Sequence, residues 1–310
     1  MKFSFIIPVY NEQESLVILH ESIVKVLKEK YYETEYEILF IDDGSTDNSV
    51  QVIRDIIEKD NNAHLIAFRG NFGKSAALQA GFRNVIGDII FTMDADLQDD
   101  PDEIPKFIDK INEGYDLVSG WKFNRLDPLE KRLPSKLYNK FTSNLSGIKL
   151  HDFNCGFKAY RREVVDSLDI YGELHRFVPV LAARYGFKIG EVVVNHRKRE
   201  FGKSKYGIER YLRGMFDSIS IIFLLKFRNK PMYFFGRFGL ISFLIGLAIC
   251  IYLVVEWFIG VAIGTRPLLT LGILLVILGA MFVSIGLIGD LIVDRSYRKN
   301  YTEYHIKEKK

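Results

Sequence analysis

The sequence predicts an α/β protein, a mostly parallel sheet covered by helices, followed by two membrane-spanning helices. Three observations predict it. Short β-rich runs alternate with helically spaced apolar residues from residue 1 to about 120, polar residues collect where those runs end, and residues 238–255 and 267–289 carry no charge.

The first run, FSFIIPV, ends in PVYNE, and its apolar stretch is too short and too soon interrupted by Pro8 and Asn11 to be a signal peptide. Leu16, Leu19, Ile23, Val26 and Leu27 then recur at helical spacing. YEILFID predicts a second strand that ends in DDGSTD, where Gly44 permits a tight turn and Ser45, Thr46 or Asp47 can cap the next helix. Ile53, Ile56 and Ile57 mark that helix; HLIAF, DIIFTMD and DLVSG are further strands, the first two followed by RGNFGK and DADLQDD. In sheets built this way, ligands sit beyond the carboxyl ends of the strands, where this polar punctuation falls.

Beyond residue 125, DPLEKRLPSKLYNKFTSNLSG and GIERYLRGMFDSISIIFLLKF mix cations with Leu, Tyr and Phe, as basic amphipathic helices on a bilayer do. Packing on the sheet is the alternative for both; the adjacent span favours a juxtamembrane position for the second more than for the first, about 128–147. At 1.5 Å per residue the two uncharged runs approach the roughly 30 Å hydrocarbon core. Lys226, Arg228, Lys230 and Arg237 precede them and Arg295, Arg298, Lys299 and KEKK follow, which directs both flanks and the N-terminal part to the cytoplasm. The expected division is a cytoplasmic α/β domain at 1–206, a juxtamembrane amphipathic helix at 207–231, a two-helix transmembrane hairpin at 232–294 and a basic cytoplasmic tail at 295–310. Gly272, Gly279, Gly286 and Gly289 would permit close helix contact in a homo-oligomer.

A 48% hydrophobic chain of 310 residues can fill a domain core and still leave apolar sequence for a membrane. Its net charge of +3 is too small to imply a nucleic-acid partner. Two cysteines, Cys155 and Cys250, are too few for a disulfide framework.

The stretch FTMDADLQDDPDEIP puts six carboxylates, Asp94 to Glu103, within ten positions. Such crowding needs open water or a bound cation. Asp94 and Asp96 project to the same side of an extended chain and can direct oxygens to one Mg²⁺ or Mn²⁺, whose shell is completed by water and substrate phosphates. Asp99, Asp100, Asp102 and Glu103 can instead form the acidic first turn of a helix after Pro101. Arg69 and Lys74 flank a Gly-rich turn where cations and free N–H groups favour phosphate, although the P-loop spacing is absent. The seven cations from Arg197 to Arg213, with Lys122, Arg125, Lys131 and Arg132, suit a phosphate-bearing ligand at a membrane surface. Attraction to anionic headgroups is the alternative, and it suits Arg197 and Lys198 better than Arg199. Cys155 has no His in a suggestive relation and does not read as a nucleophile.

IIPVYNEQESL, IDDGSTDNS, RGNFGKSAALQAGF, TMDADLQDDPDEI, DFNCGFKAYRRE and REFGKSKYG together resemble, in order and spacing, the family 2 glycosyltransferases. The likeness is greatest to the polyprenyl-phosphate enzymes of the dolichol-phosphate-mannose-synthase and bacterial glucosyl-carrier type. The resemblance implies a GT-A fold and inverting transfer of a sugar from a nucleotide-sugar donor to a polyprenyl phosphate. Carried over, Pro8, Tyr10, Glu12 and Asp43 would hold the nucleotide, with Lys74, Asp94 and Gln98 also at the donor, and Asp94 and Asp96 the Mg²⁺ or Mn²⁺. Asp152 takes the position of the catalytic carboxylate, as proton acceptor or orienter. Arg199 and Lys205 would assist catalysis, and with Ser204, Arg125, Arg132 and Ser135 would meet the acceptor phosphate. The expected donor is UDP-glucose, with GDP-mannose or another nucleotide sugar as the alternative. A Q-x-x-R-W sequence is missing, so a single transfer is expected, on the cytoplasmic face of a bacterial plasma membrane or of the endoplasmic reticulum in a eukaryote. A membrane-anchored nucleotide-sugar-binding protein without turnover is the competing class.

Overall fold

The computed structural model describes residues 1–123, 143, 148–197, 223, 227, 230–264 and 266–297. Arg125, Lys131, Arg132, Ser135, Lys198, Arg199, Ser204 and Lys205 lie outside the described residues, as do nearly all of both amphipathic segments and the end of the basic tail. Contacts divide the chain into two compact units, Met1–Ile208 and Glu209–Lys310.

The first unit runs β1 (Lys2–Val9), α1 (Leu16–Lys30), β2 (Glu35–Asp42), α2 (Ser49–Ile57), β3 (Ala63–Ala67), α3 (Lys74–Asn84), β4 (Ile89–Thr92), α4 (Ile104–Asn112), β5 (Leu117–Lys122), β6 (Lys158–Arg161), α5 (Arg162–Ser167), α6 (Val178–Arg184) and β7 (Ile189–Val194). The five strands expected from the sequence are present, and β6 and β7 are added. KAYR in β6 is short and buries a lysine, which hides it from an apolar-pattern reading; IGEVVV in β7 alternates its buried Gly190, Val192 and Val194 with more exposed residues.

Strand order in the sheet is β3-β2-β1-β4-β6-β5-β7. Every pairing is parallel except the two made by β6, which runs antiparallel to β4 and to β5. The reversal has a consequence for chemistry. Lys158, the first residue of β6, pairs with Thr92 at the end of β4 and with Ser119 in β5, so the amino end of β6 joins the carboxyl ends of the other six strands on one edge.

The period of two in a strand sends alternate side chains to opposite faces. Phe3, Phe5, Ile7 and Val9 enter a core with α1, α2 and α4, where Phe5 stacks on Phe91 at 4.9 Å. Ile6 turns to the other face, against Gly81 of α3. Leu16, Leu19, Ile23, Val26 and Leu27 are the buried face of α1, as their spacing predicts. Each such side chain contributes about 1.5–3 kcal/mol on burial.

In the second unit, α7 (Pro231–Phe258) and α8 (Pro267–Tyr297) are long and apolar enough to cross a membrane, each holding an 18-residue stretch with a mean hydropathy of 2.7 and 2.8, respectively. They form a hairpin through glycines. A Cβ on Gly279 would stand 2.6 Å from the Phe243 nitrogen, and one on Gly246 would stand 2.7 Å from the Gly272 oxygen. Gly286 and Gly289 likewise lie against Met232 and Pro231. The four glycines expected to permit close helix contact make such contacts within the chain, because small residues let the two backbones approach. Arg266 and Glu256 pair at 3.2 Å near the turn, which keeps both charges compensated.

Candidate active site

The turn after β1 and the turn after β2 are tied together by side-chain bonds to backbone. Asn11, in left-handed conformation at φ 55°, accepts from the Thr46 N–H at 2.7 Å, while its own N–H donates to Ser45 Oγ at 2.9 Å. Gln13 Oε1 accepts from Asn48 N–H at 2.8 Å, and the Glu12 N–H donates to Ser49 Oγ at 3.0 Å. Ser45 and Thr46 thus bridge two turns and do not cap α2, whose N-cap position is Asn48; of the three expected caps only Asp47 reaches the helix, accepting from Ser49 N–H at 3.0 Å. Pro8 lies in β1 opposite Ile41, and Tyr10 stands exposed just beyond it.

Asp43 accepts the Phe72 and Gly73 N–H groups at 2.7 and 2.9 Å. Burial pushes its carboxyl above the usual range, and these two bonds oppose that rise. The N–H groups read as open to phosphate before α3 are therefore engaged by Asp43. Neighbouring Asp42 is buried; one oxygen accepts from Gly44 and Ser45 N–H at 3.2 and 3.1 Å, and the other has no partner among the described residues.

The acidic run after β4 is neutralised pair by pair. Asp94 pairs with Lys74 from the start of α3. Asp99 pairs with Lys122 at 2.8 Å, Asp100 with Arg197 at 2.7 Å, and Glu103 with Lys106. Asp100 also caps the 3₁₀ turn Pro101–Glu103 that precedes α4, as expected of the acidic first turn. Asp99 departs from that expectation: it is 1% exposed, and Lys122, expected at the acceptor phosphate, is committed to it. Arg197 likewise has Asp100 for a partner, where lipid headgroups were expected.

Asp96 is the exception in this run. Among the described residues it accepts one N–H, from Gln98 at 3.2 Å, and forms no ion pair, although the charge of Lys122 acts on it from farther off. Burial, followed by the charges of Asp94 and Asp99, raises its carboxyl to about 6. Burial also acts to raise Asp94, but Lys74, Lys122 and Lys158 overcome it and hold Asp94 well below the usual range. Gly156 leaves room for this carboxylate: a Cβ there would lie 2.5 Å from Asp94 Oδ2.

Asp152, 1% exposed, precedes β6 on the same edge. Its Oδ1 accepts from Asn154 N–H at 3.0 Å, and its own N–H donates to Glu191 Oε1 at 3.1 Å. Glu191 also takes the His151 N–H at 2.9 Å and the ring Nδ1 at 2.7 Å, while that ring stacks on Trp121 at 3.9 Å. Lys158 is buried with its ammonium on the Cys155 carbonyl, and burial followed by the charge of Lys74 lowers its pKa. Cys155 is 2% exposed, and burial pushes its thiol up to about 12, which keeps it from acting as a nucleophile.

The family model for glycosyl transferase family 2 matches residues 4–169, which contain the D-x-D pair and Asp152. The chain belongs to glycosyl transferase family 2. This family 2 chain is 34% identical over 312 residues to dodecaprenyl-phosphate galacturonate synthase of Rhizobium johnstonii, covering 99% of this chain and 92% of that one. It is 35% identical over 298 residues to undecaprenyl-phosphate 4-deoxy-4-formamido-L-arabinose transferase of an Enterobacter species, covering 94% and 88%. Glucosyl-3-phosphoglycerate synthase of Mycobacterium tuberculosis, solved with UDP, superposes with a TM-score of 0.55 at 18% identity, over 72% of this chain and 79% of that one. The fold of the first unit is accordingly GT-A.

Sequence reasoning brought Tyr10, Glu12, Asp43, Lys74, Asp94, Asp96 and Gln98 to one edge of the sheet, and the structure has them there, with Asp152, which the resemblance supplied, ahead of β6 on the same edge. It missed Lys158, Gly156 and Glu191. The only signal for Lys158 and Gly156 was their place in DFNCGFKAYRRE; Glu191 stands in a stretch without a motif of its own.

Proposed function

We propose that this chain transfers one sugar from a nucleotide-sugar donor, with inversion, to the phosphate of a polyprenyl phosphate at a membrane surface. The observation that carries the reading is the convergence of Asp94, Asp96, Lys74, Asp152 and Lys158 at one edge of the sheet. The names of the two relatives, each matched over nearly the whole chain, support a polyprenyl-phosphate acceptor.

Among the described residues no cluster of three or more metal-ligating side chains occurs. Two carboxylates are enough for Mg²⁺ or Mn²⁺ when phosphates complete the shell. Asp96, raised by burial and then by the charges of Asp94 and Asp99, and in no ion pair among the described residues, has the chemistry of a group waiting for positive charge. Asp94 and Asp96 would hold the ion, which when bound supplies positive charge against a leaving diphosphate.

Tyr10, Glu12 and Asp43 hold the nucleotide beside Pro8, Gln98 borders the donor, and Lys74 offers its ammonium to the diphosphate. An oxygen of the acceptor phosphate attacks the sugar's anomeric carbon as the bond from that carbon to the diphosphate breaks, and a nucleoside diphosphate leaves. A phosphate monoester has a second pKa of about 6 and arrives largely ionised, so a strong base is not required. Asp152 then acts chiefly as orienter of the acceptor and its cations. Arg199, Ser204, Lys205, Arg125, Arg132 and Ser135 remain the proposed acceptor-phosphate contacts, offsetting the repulsion between two phosphate-bearing substrates. The apolar hairpin anchors the chain, with the catalytic unit on the cytoplasmic side.

Glucose, the expected sugar, is not in either relative's name; galacturonate and a formamido-arabinose are. The donor is therefore to be found with a panel. Full-length protein is incubated with Mn²⁺, undecaprenyl phosphate and labelled UDP-galacturonic acid, UDP-glucose or GDP-mannose, and extracted into organic solvent. Label in the lipid phase from one donor, lost in Asp152→Asn with donor binding retained, is the expected result. Donor binding without lipid label from any of them would favour a binding protein without turnover.

A further inference from the structure

His175 lies in the 3₁₀ turn Leu174–Phe177 ahead of α6, and it is held against the first turn of α3 by one hydroxyl. Its backbone N–H donates to Ser75 Oγ at 3.1 Å, and its ring Nδ1 lies 2.9 Å from the same oxygen. Ser75 is 1% exposed and has no other side-chain acceptor among the described residues. Were Nδ1 also a donor, the Ser75 O–H would be buried without a partner, at the cost such groups carry. The hydroxyl proton therefore goes to Nδ1, and the ring proton is on Nε2.

The Nε2–H has no partner among the described residues. Burial, then the charges of Lys74 and Arg176, push the ring's pKa down to about 2, so it stays neutral, and Lys158 and Asp94 act on it as well. Lys74 and Lys158 are also the cations that act on the Asp94 carboxylate, and Lys74, the residue before Ser75, pairs with it directly. We infer that His175, fixed by Ser75 as the Nε2–H tautomer, donates a hydrogen bond to a sugar oxygen of the bound donor and helps select that sugar. A sugar oxygen suits it better than a phosphate. Lys74 and Lys158 already supply cations nearby, whereas a neutral donor with a fixed direction is what reading a hydroxyl or a ring substituent needs.

The inference rests on the proposed transfer reaction but can be tested apart from it. Full-length protein labelled with ¹⁵N-histidine is placed in nanodiscs, and the His175 resonance is assigned by its loss in His175→Gln. The spectrum should show a bare Nδ1 and a protonated Nε2, with protonated Nδ1 appearing in Ser75→Ala. Adding the nucleotide sugar that labels lipid in the panel should shift the Nε2–H signal, while the matching nucleoside diphosphate alone should not. Phe in place of His175 should lower kcat/KM about tenfold with nucleoside diphosphate affinity unchanged, and His175→Gln, which restores a donor at similar reach, should recover most of that loss. A protonated Nδ1 in the native chain, an equal shift with the nucleoside diphosphate, or full turnover in His175→Phe would each overturn it. If the native chain transfers no sugar at all, the transfer reading fails instead, and the response of the Nε2–H to the same three nucleotide sugars still decides this one.

Discussion

Replacing Gly156 by Ala adds one methyl group directly under the Asp94 carboxylate. The new Cβ would lie 2.5 Å from Oδ2, 2.7 Å from Cγ and 2.8 Å from Oδ1, where ordinary contact begins at 3.4 Å. Gly156 cannot easily retreat, since its carbonyl accepts from Thr92 Oγ1 at 2.8 Å and it lies between buried Cys155 and Phe157. Its backbone is not in the left-handed region, so the substitution acts through space and not through φ. Asp94 must therefore move by about 0.9 Å, and a displacement of about 1 Å at a reacting centre can lower turnover roughly 100-fold. The assay is initial-rate lipid labelling at saturating Mn²⁺, with Mn²⁺ affinity measured alongside and circular dichroism as the folding check. A Gly156→Ala protein with native rate and native Mn²⁺ affinity would refute the placement of Asp94 at the metal and diphosphate.

The Asp99–Lys122 pair predicts that Lys122→Met destabilises the protein by about 3–5 kcal/mol, by leaving a buried carboxylate uncompensated. Adding Asp99→Asn should recover much of the loss, as urea unfolding would report. Mn²⁺ affinity should rise with pH up to about 6 and flatten above it, because Asp96 must release its proton before it can bind a cation, and calorimetry across pH 5–8 checks the sign. Cys155→Ala should keep transfer within about threefold, since a buried, protonated thiol has no part in the chemistry, and loss of turnover would reopen it. Gly279→Leu should separate α7 from α8 at a cost of about 1–3 kcal/mol, read as faster proteolysis of the hairpin in nanodiscs.

The sheet was legible where local patterns repeat: five apolar runs and the face of α1 follow from period and spacing alone. β6 was not, because four residues with an inward lysine carry no apolar signature, and the chain reversal that brings Lys158 beside Thr92 is a long-range event. The acidic run posed its question correctly, since like charges need compensation, yet its answer lies in residues far along the chain. Lys74, Lys122 and Arg197 each neutralise a carboxylate 20, 23 and 97 positions away, respectively. What distinguishes Asp96 from its neighbours is the absence of such a partner among the described residues. His175 was invisible for the same reason, because its meaning depends on Ser75, exactly one hundred positions earlier.

The most direct test of the proposed chemistry is the mass of the lipid product formed by the full-length protein with Mn²⁺, undecaprenyl phosphate and the donor identified by the panel. A product one sugar residue heavier than the acceptor, holding a single phosphorus and absent when Asp96→Asn replaces the native chain, is the predicted result. A diphosphate-linked product, or a lipid left unchanged while the nucleotide sugar binds, would contradict it.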